Sequence, residues 1–247
     1  MASRTSSVLG AAALLILALL STAVNFTEPR KPFISVAPIR LEETSAQLSS
    51  GATAAAAPKT ESPVPARYRL DPSQSKFIAH ALAGGLLSFK GHDHLVAVRD
   101  FSGEARLDPN SIPASSLEII AKTASMEETS SVFTEAQKKI INKELHDIVL
   151  LPDQYPDIIF RSTSVTGQSI GNGQYDLKIA GNLTLNGTTR SITIPTKLTV
   201  TGNEIRAQGE FSIDRSDFKV KATSAVHGLV RVRDKVKFTF DIAGHQF

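Results

Sequence analysis

From Tyr68 to the end of the chain, apolar and polar residues alternate one by one over long stretches. Successive side chains of a β-strand point to opposite faces, so this period of two makes strands with one buried and one solvated face. Tyr175, Leu177, Ile179, Leu183 and Leu185 fall on one side, with Asp176, Lys178, Asn182 and Thr184 on the other. Asn186-Gly187 follows, a pair that tolerates positive φ and so marks a tight hairpin turn. Ile192 and Ile194 then alternate with Ser191 and Thr193. A third strand sets Ile205, Ala207, Phe211 and Ile213 inside and Glu204, Arg206, Gln208 and Glu210 outside. The last buries Val230, Val232, Val236, Phe238, Phe240 and Ile242, and shows Arg231, Arg233, Lys235 and Lys237 to water.

Phe77 to Leu82, Leu87 to Val98, Phe101 to Leu107, Leu117 to Thr123 and Ile158 to Thr163 read as further strands. One helix is expected among them. Val132, Phe133, Ala136, Ile140 and Leu145 share a face at helical spacing, with Lys138, Lys139 and Lys143 toward water, and Pro152 and Pro156 follow its end. Eight or nine amphipathic strands must hide their apolar faces together. Closure into an antiparallel barrel does this and removes exposed edges. A two-sheet sandwich does it too, and periodicity alone allows both. The sequence contains no glycine-rich phosphate loop, Walker motif or GxSxG elbow, so nucleotide and hydrolase chemistry have no support.

The strands follow a different kind of amino terminus. Met1 to Ser7 carries Arg4 and no acid, Val8 to Leu20 is almost wholly apolar, and Ser21-Thr22-Ala23 offers small residues where a signal peptidase cuts. Residues 1–24 are read as a signal peptide or, being just long enough to span a bilayer, an uncleaved anchor. Either places the folded part outside the cytoplasm, periplasmic or secreted, with a tether as the variant. Residues 25–66 have a linker's composition. They hold Pro29, Pro32, Pro38, Pro58, Pro63 and Pro65 with an Ala/Thr run at Ala52 to Ala57, and are expected to be disordered. Residues 67–247 form the folded domain. With no cysteine in the chain, disulfides and thiolate metal sites are excluded, and the net charge of +3 is too small an excess to favour nucleic acid as partner.

Several segments carry a family resemblance. Tyr68-Arg69-Leu70-Asp71 with Ser75 forms an opening strand, and Phe101-Ser102-Gly103 through Leu107-Asp108-Pro109 a strand and turn. Tyr155-Pro156-Asp157-Ile158-Ile159-Phe160-Arg161-Ser162 gives a YP-x-x-x-F-x-S pattern. Gly181-Asn182-Leu183-Thr184-Leu185-Asn186-Gly187-Thr188-Thr189 gives a G-x-L-T-L-x-G-x-T hairpin, and Ile213-Asp214-Arg215-Ser216-Asp217-Phe218 completes the set. In this order, across nearly all of residues 67–247, they resemble the YceI-like, polyisoprenoid-binding family. The resemblance implies an all-β, extended, lipocalin-like antiparallel barrel with one inserted helix and a long apolar pore. It also implies a long-chain isoprenoid or other lipid as ligand, no enzymatic activity and no further cofactor.

Strand parity supplies the candidate lining: Phe77, Phe89, Ile119, Phe160, Tyr175, Leu177, Ile179, Leu183, Ile205, Phe211, Ile213, Val232 and Phe238. The same residues serve equally as a filled core, which would make the protein a structural or stress-response barrel with a protein partner. A third reading rests on His92 and His94. Two apart in a strand, they project from one face and could share a metal or act as a base, with His80 or His227 as a third ligand. Two histidines hydrogen-bonded near a barrel mouth is the plainer alternative, and both are then dispensable for folding. Asp234 falls on the apolar side of its strand by parity; it could meet an arginine, bind a polar ligand head or lie where the strand bulges outward, and pairing within the structure is expected. The basic row of the last strand is read as a solvated face balanced by acids such as Glu204 and Glu210, with anionic membrane as the other use. Asn182 and Asn186 fit the glycosylation pattern only as chance matches within the hairpin.

Overall fold

The computed structural model describes residues 65–85, 88, 91–225 and 230–247. The expected signal or anchor, nearly all of the linker, Phe89 and His227 lie outside them. The strands are β1 (Ala66–Gly84), β2 (His94–Val98), β3 (Phe101–Leu107), β4 (Ser116–Lys122), β5 (Met126–Glu128), β6 (Asp157–Gly171), β7 (Gln174–Leu185), β8 (Thr188–Thr201), β9 (Glu204–Asp214), β10 (Ser224–Ala225) and β11 (Val230–Gln246). Helix α1 (Glu135–Glu144) lies between β5 and β6 and runs into a π-type turn at Leu145–Leu150.

Barrel and sandwich are separated by one pairing. β1 pairs antiparallel with β11, from Tyr68 opposite Gln246 to Gly84 opposite Arg231. The order β11-β9-β8-β7-β6-β4-β3-β1 therefore closes on itself as an eight-stranded antiparallel barrel. β2 and β3 lie end to end along β1, taking Ile78–Ala81 and Ala66–Arg69 respectively. β5 continues the line of β4 and pairs with β2. The alternation is realised on the inner face, where Leu177, Ile179, Leu183, Leu185, Ile205 and Ile213 are buried. On the outer face, Lys235 meets Asp214 at 3.1 Å and Lys237 meets Glu210 at 2.6 Å, whereas Glu204 turns instead to His245 at 3.6 Å. The Asn186-Gly187 turn has both residues at positive φ, 50° and 67°.

Two expectations are corrected. The strand expected from Leu87 to Val98 is shorter, with β2 beginning only at His94. The helix is rotated from its expected face, leaving Val132 58% and Ile140 56% exposed. The cause is polar. β5 is a short strand whose outer backbone edge needs partners. The helix supplies Asn142, whose Oδ1 accepts from Glu128 N at 2.7 Å, and the following turn supplies His146, whose Nε2 donates to Met126 O at 2.9 Å. Thr134 and Gln137 fix the helix start with a reciprocal capping box. Asp234 finds its expected partner within the structure, in the outward position that was one of its alternatives. It turns outward and accepts from Ser216 N at 3.1 Å and Ser216 Oγ at 2.6 Å, pinning the turn that carries the wholly buried Phe218. Those bonds, with Arg215 and Lys235 nearby, hold its carboxyl below the usual range despite a smaller opposing effect of burial.

Candidate functional site

The barrel interior is not filled. A cavity of about 130 Å³ runs through it, bounded by inward residues of β1, β3, β4, β6, β7, β8, β9 and β11. Among the described residues the lining is apolar apart from Arg106, Ser115, Ser116, Thr196 and the phenol of Tyr68. Burial, with Tyr175 nearby, pushes the Tyr68 phenol above its ordinary value, so it stays protonated. Arg106 and Ser116 stand opposite each other and both are exposed, on the outward face that alternates with the inward Ala105, Leu107 and Leu117.

Space inside depends on bare backbone at two places. Phe160 lies over Gly181 and Phe240 over Gly209, and a Cβ on either glycine would come within 2.6 Å of the ring. One part of the cavity wall is made of phenyl rings. Phe77, Phe211 and Phe240 line it, and Phe238 stands behind them, stacked on Phe211 at 5.0 Å and 6.0 Å from Phe77. Phe101 meets Phe77 edge-on at 6.5 Å.

These rings divide the expected lining residues. Phe77, Ile119, Phe160, Leu177, Ile179, Leu183, Ile205 and Phe211 line the cavity. Ile213, Val232 and Phe238 do not: Ile213 and Phe238 belong to the packed core beyond the rings, and Val232 is half-buried outside it. Tyr175 is buried beside Tyr68 but also outside the lining. Parity identifies the inward face and carries no information about depth, which is why it overextended the pore. It also reached too few residues: Tyr68, Leu70, Ile194 and Leu198 belong to the lining. The first two were legible in the alternation Tyr-Arg-Leu-Asp. Arg106, Ser115 and Ser116 had no such signal, since polar residues at a turn are ordinary.

The YceI-like domain model matches residues 68–244. The chain belongs to the YceI-like family. This YceI-like chain is 28% identical over 144 residues to UPF0312 protein YE1254 of Yersinia enterocolitica, covering 58% of the chain and 67% of that relative. It is 30% identical over 127 residues to UPF0312 protein VPA0850 of Vibrio parahaemolyticus, covering 51% and 61%. The matches thus span about two thirds of those relatives or less. Two solved structures share the barrel. BcnA of Burkholderia cenocepacia superposes with a TM-score of 0.55 at 21% identity, covering 70% of this chain and 98% of that one. A polyisoprenoid binding domain from Saccharophagus degradans, implicated in plant cell wall breakdown, gives 0.52 at 11%, covering 73% and 98%. At these identities the likeness bears on the fold.

Among the described residues of the YceI-like barrel, no histidine lines the cavity. His92 precedes β2 rather than standing in it, so the two-apart geometry expected of a strand is not formed. Both rings pack on Phe133, His94 stacked at 5.2 Å and His92 edge-on at 5.6 Å. His80 is engaged elsewhere, with Thr239 Oγ1 at 2.9 Å. No group of three or more His, Asp or Glu side chains is placed to hold a metal among the described residues.

His94 has a partner that sequence reasoning missed. The side chain of Glu128 is wholly buried, and its Oε2 accepts from His94 Nδ1 at 2.7 Å. The carboxylate has no proton to give, so Nδ1 carries it. Oε1 accepts from Leu95 N at 3.1 Å and Ser130 N at 2.7 Å. Burial raises the Glu128 carboxyl, but the bonds from His94, Ser130 and Leu95 together outweigh it and leave the group below its ordinary 4.5. In the sequence this glutamate looks like any acid in a polar turn.

Proposed function

We propose that this YceI-like barrel binds the apolar chain of an isoprenoid or other lipid in its cavity, and holds it for storage or transfer outside the cytoplasm. The observation that carries the reading is a lumen lined by the aliphatic and phenyl groups of eight strands. Burying a chain gains roughly 0.8 kcal/mol per methylene, before ordering costs are subtracted. An apolar ligand therefore needs no charged partner in the interior. The polyisoprenoid binding domain named above shares this architecture, which supports the same ligand class here. The apolar run Val8 to Leu20 supports an extracytoplasmic setting near a membrane.

The reading is of binding and not turnover. No histidine or carboxylate lines the cavity among the described residues, so its hydroxyls have no base beside them. The test is to purify the protein from its native host, extract it with organic solvent and identify the extract by mass spectrometry. The delipidated protein is then titrated with an environment-sensitive fluorescent lipid. A recovered chain lipid and saturable binding are expected. Absence of both overturns the proposal.

A further inference from the structure

The barrel wall is not paired all the way along. β8 and β9 form a ladder only from Lys197 opposite Gln208 to Thr201 opposite Glu204. Both strands continue past it. β8 stays paired with β7 back to Thr188, and β9 with β11 as far as Asp214 opposite Lys235. Thr188–Thr196 and Gly209–Asp214 therefore border a split in the sheet. The cause is in the sequence. The two-residue loop after Thr201 closes on a hydrogen-bonded pair, and such pairs recur at every second residue, so the ladder would next use Pro195, which has no N–H to give. Its carbonyl still points across, where a Cβ on Gly209 would come within 2.3 Å of it.

The cavity reaches this split. Ile192 and Ile194 on one lip and Phe211 on the other line it, while their neighbours Thr193 and Ser212 are exposed. Along the ladder, backbone hydrogen bonds tie lumen off from water; past Pro195 that tie is missing.

A strap crosses the far end. The turn Arg215–Phe218 leaves β9 and packs on β8 and β11, and Phe218 and Val220 are buried. Asn186, in the turn before β8, donates from Nδ2 to Phe218 O at 3.3 Å and to Lys219 O at 3.1 Å. This latch is imperfect. Asn186 Oδ1 and Arg215 Nε are buried without a hydrogen-bond partner, the latter 3.7 Å from Asp234 Oδ1. Unmet polar groups lower the stability of the closed position, and segments held so open locally before the fold as a whole does.

We infer that the split is the doorway of the cavity: a long apolar chain enters sideways between β8 and β9 when the strap Arg215–Val220 lifts. This deepens the lipid-binding proposal and rests on it. Sideways entry spares a long chain from being threaded end-on, and Ile192, Ile194 and Phe211 keep its path apolar.

The experiment follows uptake and release of cis-parinaric acid, a long-chain fluorescent polyene, by the full delipidated chain in stopped flow. Asn186→Gly keeps the positive φ of its turn and removes the latch. It should speed uptake and release alike, several-fold, and leave the equilibrium affinity within about twofold of the parent. Asn172→Gly makes the same exchange in the β6–β7 turn, also at positive φ, and should change neither rate. Melting curves show that the variants are folded. The second arm shuts the door. The chain has no cysteine, so Thr193→Cys with Ser212→Cys can be joined specifically by a bis-maleimide that contains a reducible disulfide. Uptake should fall by about tenfold or more in the bridged protein and recover on reduction. Bridged protein that fills at the parent's rate overturns the doorway, and unchanged rates in Asn186→Gly overturn the gate, while lipid binding stands in both cases. If the parent shows no saturable uptake, the lipid-binding proposal fails and this inference with it.

Discussion

The ring of Phe160 lies so close to the backbone of Gly181 that a Cβ there would stand 2.6 Å from its Cζ and 2.4 Å from the carbonyl oxygen of Arg161. An aromatic side chain can cross the inner wall only where the neighbouring strand has none. Gly181→Ala is therefore expected to cost about 1–3 kcal/mol, as overpacking does. Adding Phe160→Leu should restore only part of that, because the Arg161 carbonyl stays in place. Urea unfolding of the two variants checks this, and an unchanged midpoint for Gly181→Ala would show that the wall yields.

The two histidines on Phe133 should behave differently. His94→Gln removes a hydrogen bond to a buried carboxylate, a loss of about 1.5–3 kcal/mol. His92→Gln touches an exposed ring edge and should stay within about 0.5 kcal/mol of the parent. Of the two, only His92 is therefore expected to be dispensable for folding. Thermal melts of the single variants decide it; equal effects would contradict the structure.

Glu128 gives the fold a dependence on acid. Its carboxyl is depressed in the folded state relative to the ordinary 4.5, so the stability it contributes is present above that value and lost as pH falls through the folded one. The stability gap between the parent and Glu128→Gln should therefore be full at neutral pH and close progressively below about pH 4.5. Chemical denaturation at several pH values measures it. A gap that widens on acidification would reverse the sign and refute the assignment.

Ile179 and Ile213 share strand parity but only Ile179 lines the cavity. Ile179→Phe should fill ligand space and weaken lipid uptake at little cost to the empty protein. Ile213→Phe should overpack the region beyond the rings, costing about 1–3 kcal/mol and leaving binding nearly intact. Fluorescent-lipid titration beside a melting curve separates the two. Identical outcomes would mean that the rings do not divide the interior.

Much of this was legible because side-chain alternation reports which face is buried, as for Leu177, Ile179 and Leu183. Alternation could not show closure, since the pairing of Tyr68 with Gln246 joins residues that no local pattern connects; the barrel was legible only through the family resemblance. The helix face misled for a related reason. Apolar spacing pointed to Ile140, but the unpaired edge of β5 called for Asn142 and His146, and hydrogen-bond demand decided the rotation. The depth of the cavity depends on where phenyl rings meet across strands, as Phe211 and Phe238 do, and such meetings follow from register rather than composition.

The seam between β1 and β11 also bears on when the protein can exist as a folded object. The strand made first waits for the strand made last, and every growing chain that stops short of β11 leaves both β1 and β9 with an unpaired edge. Loop closure on this scale is slow and comes late. Until β11 has emerged from the ribosome the barrel cannot close, and the polypeptide stays open along that seam.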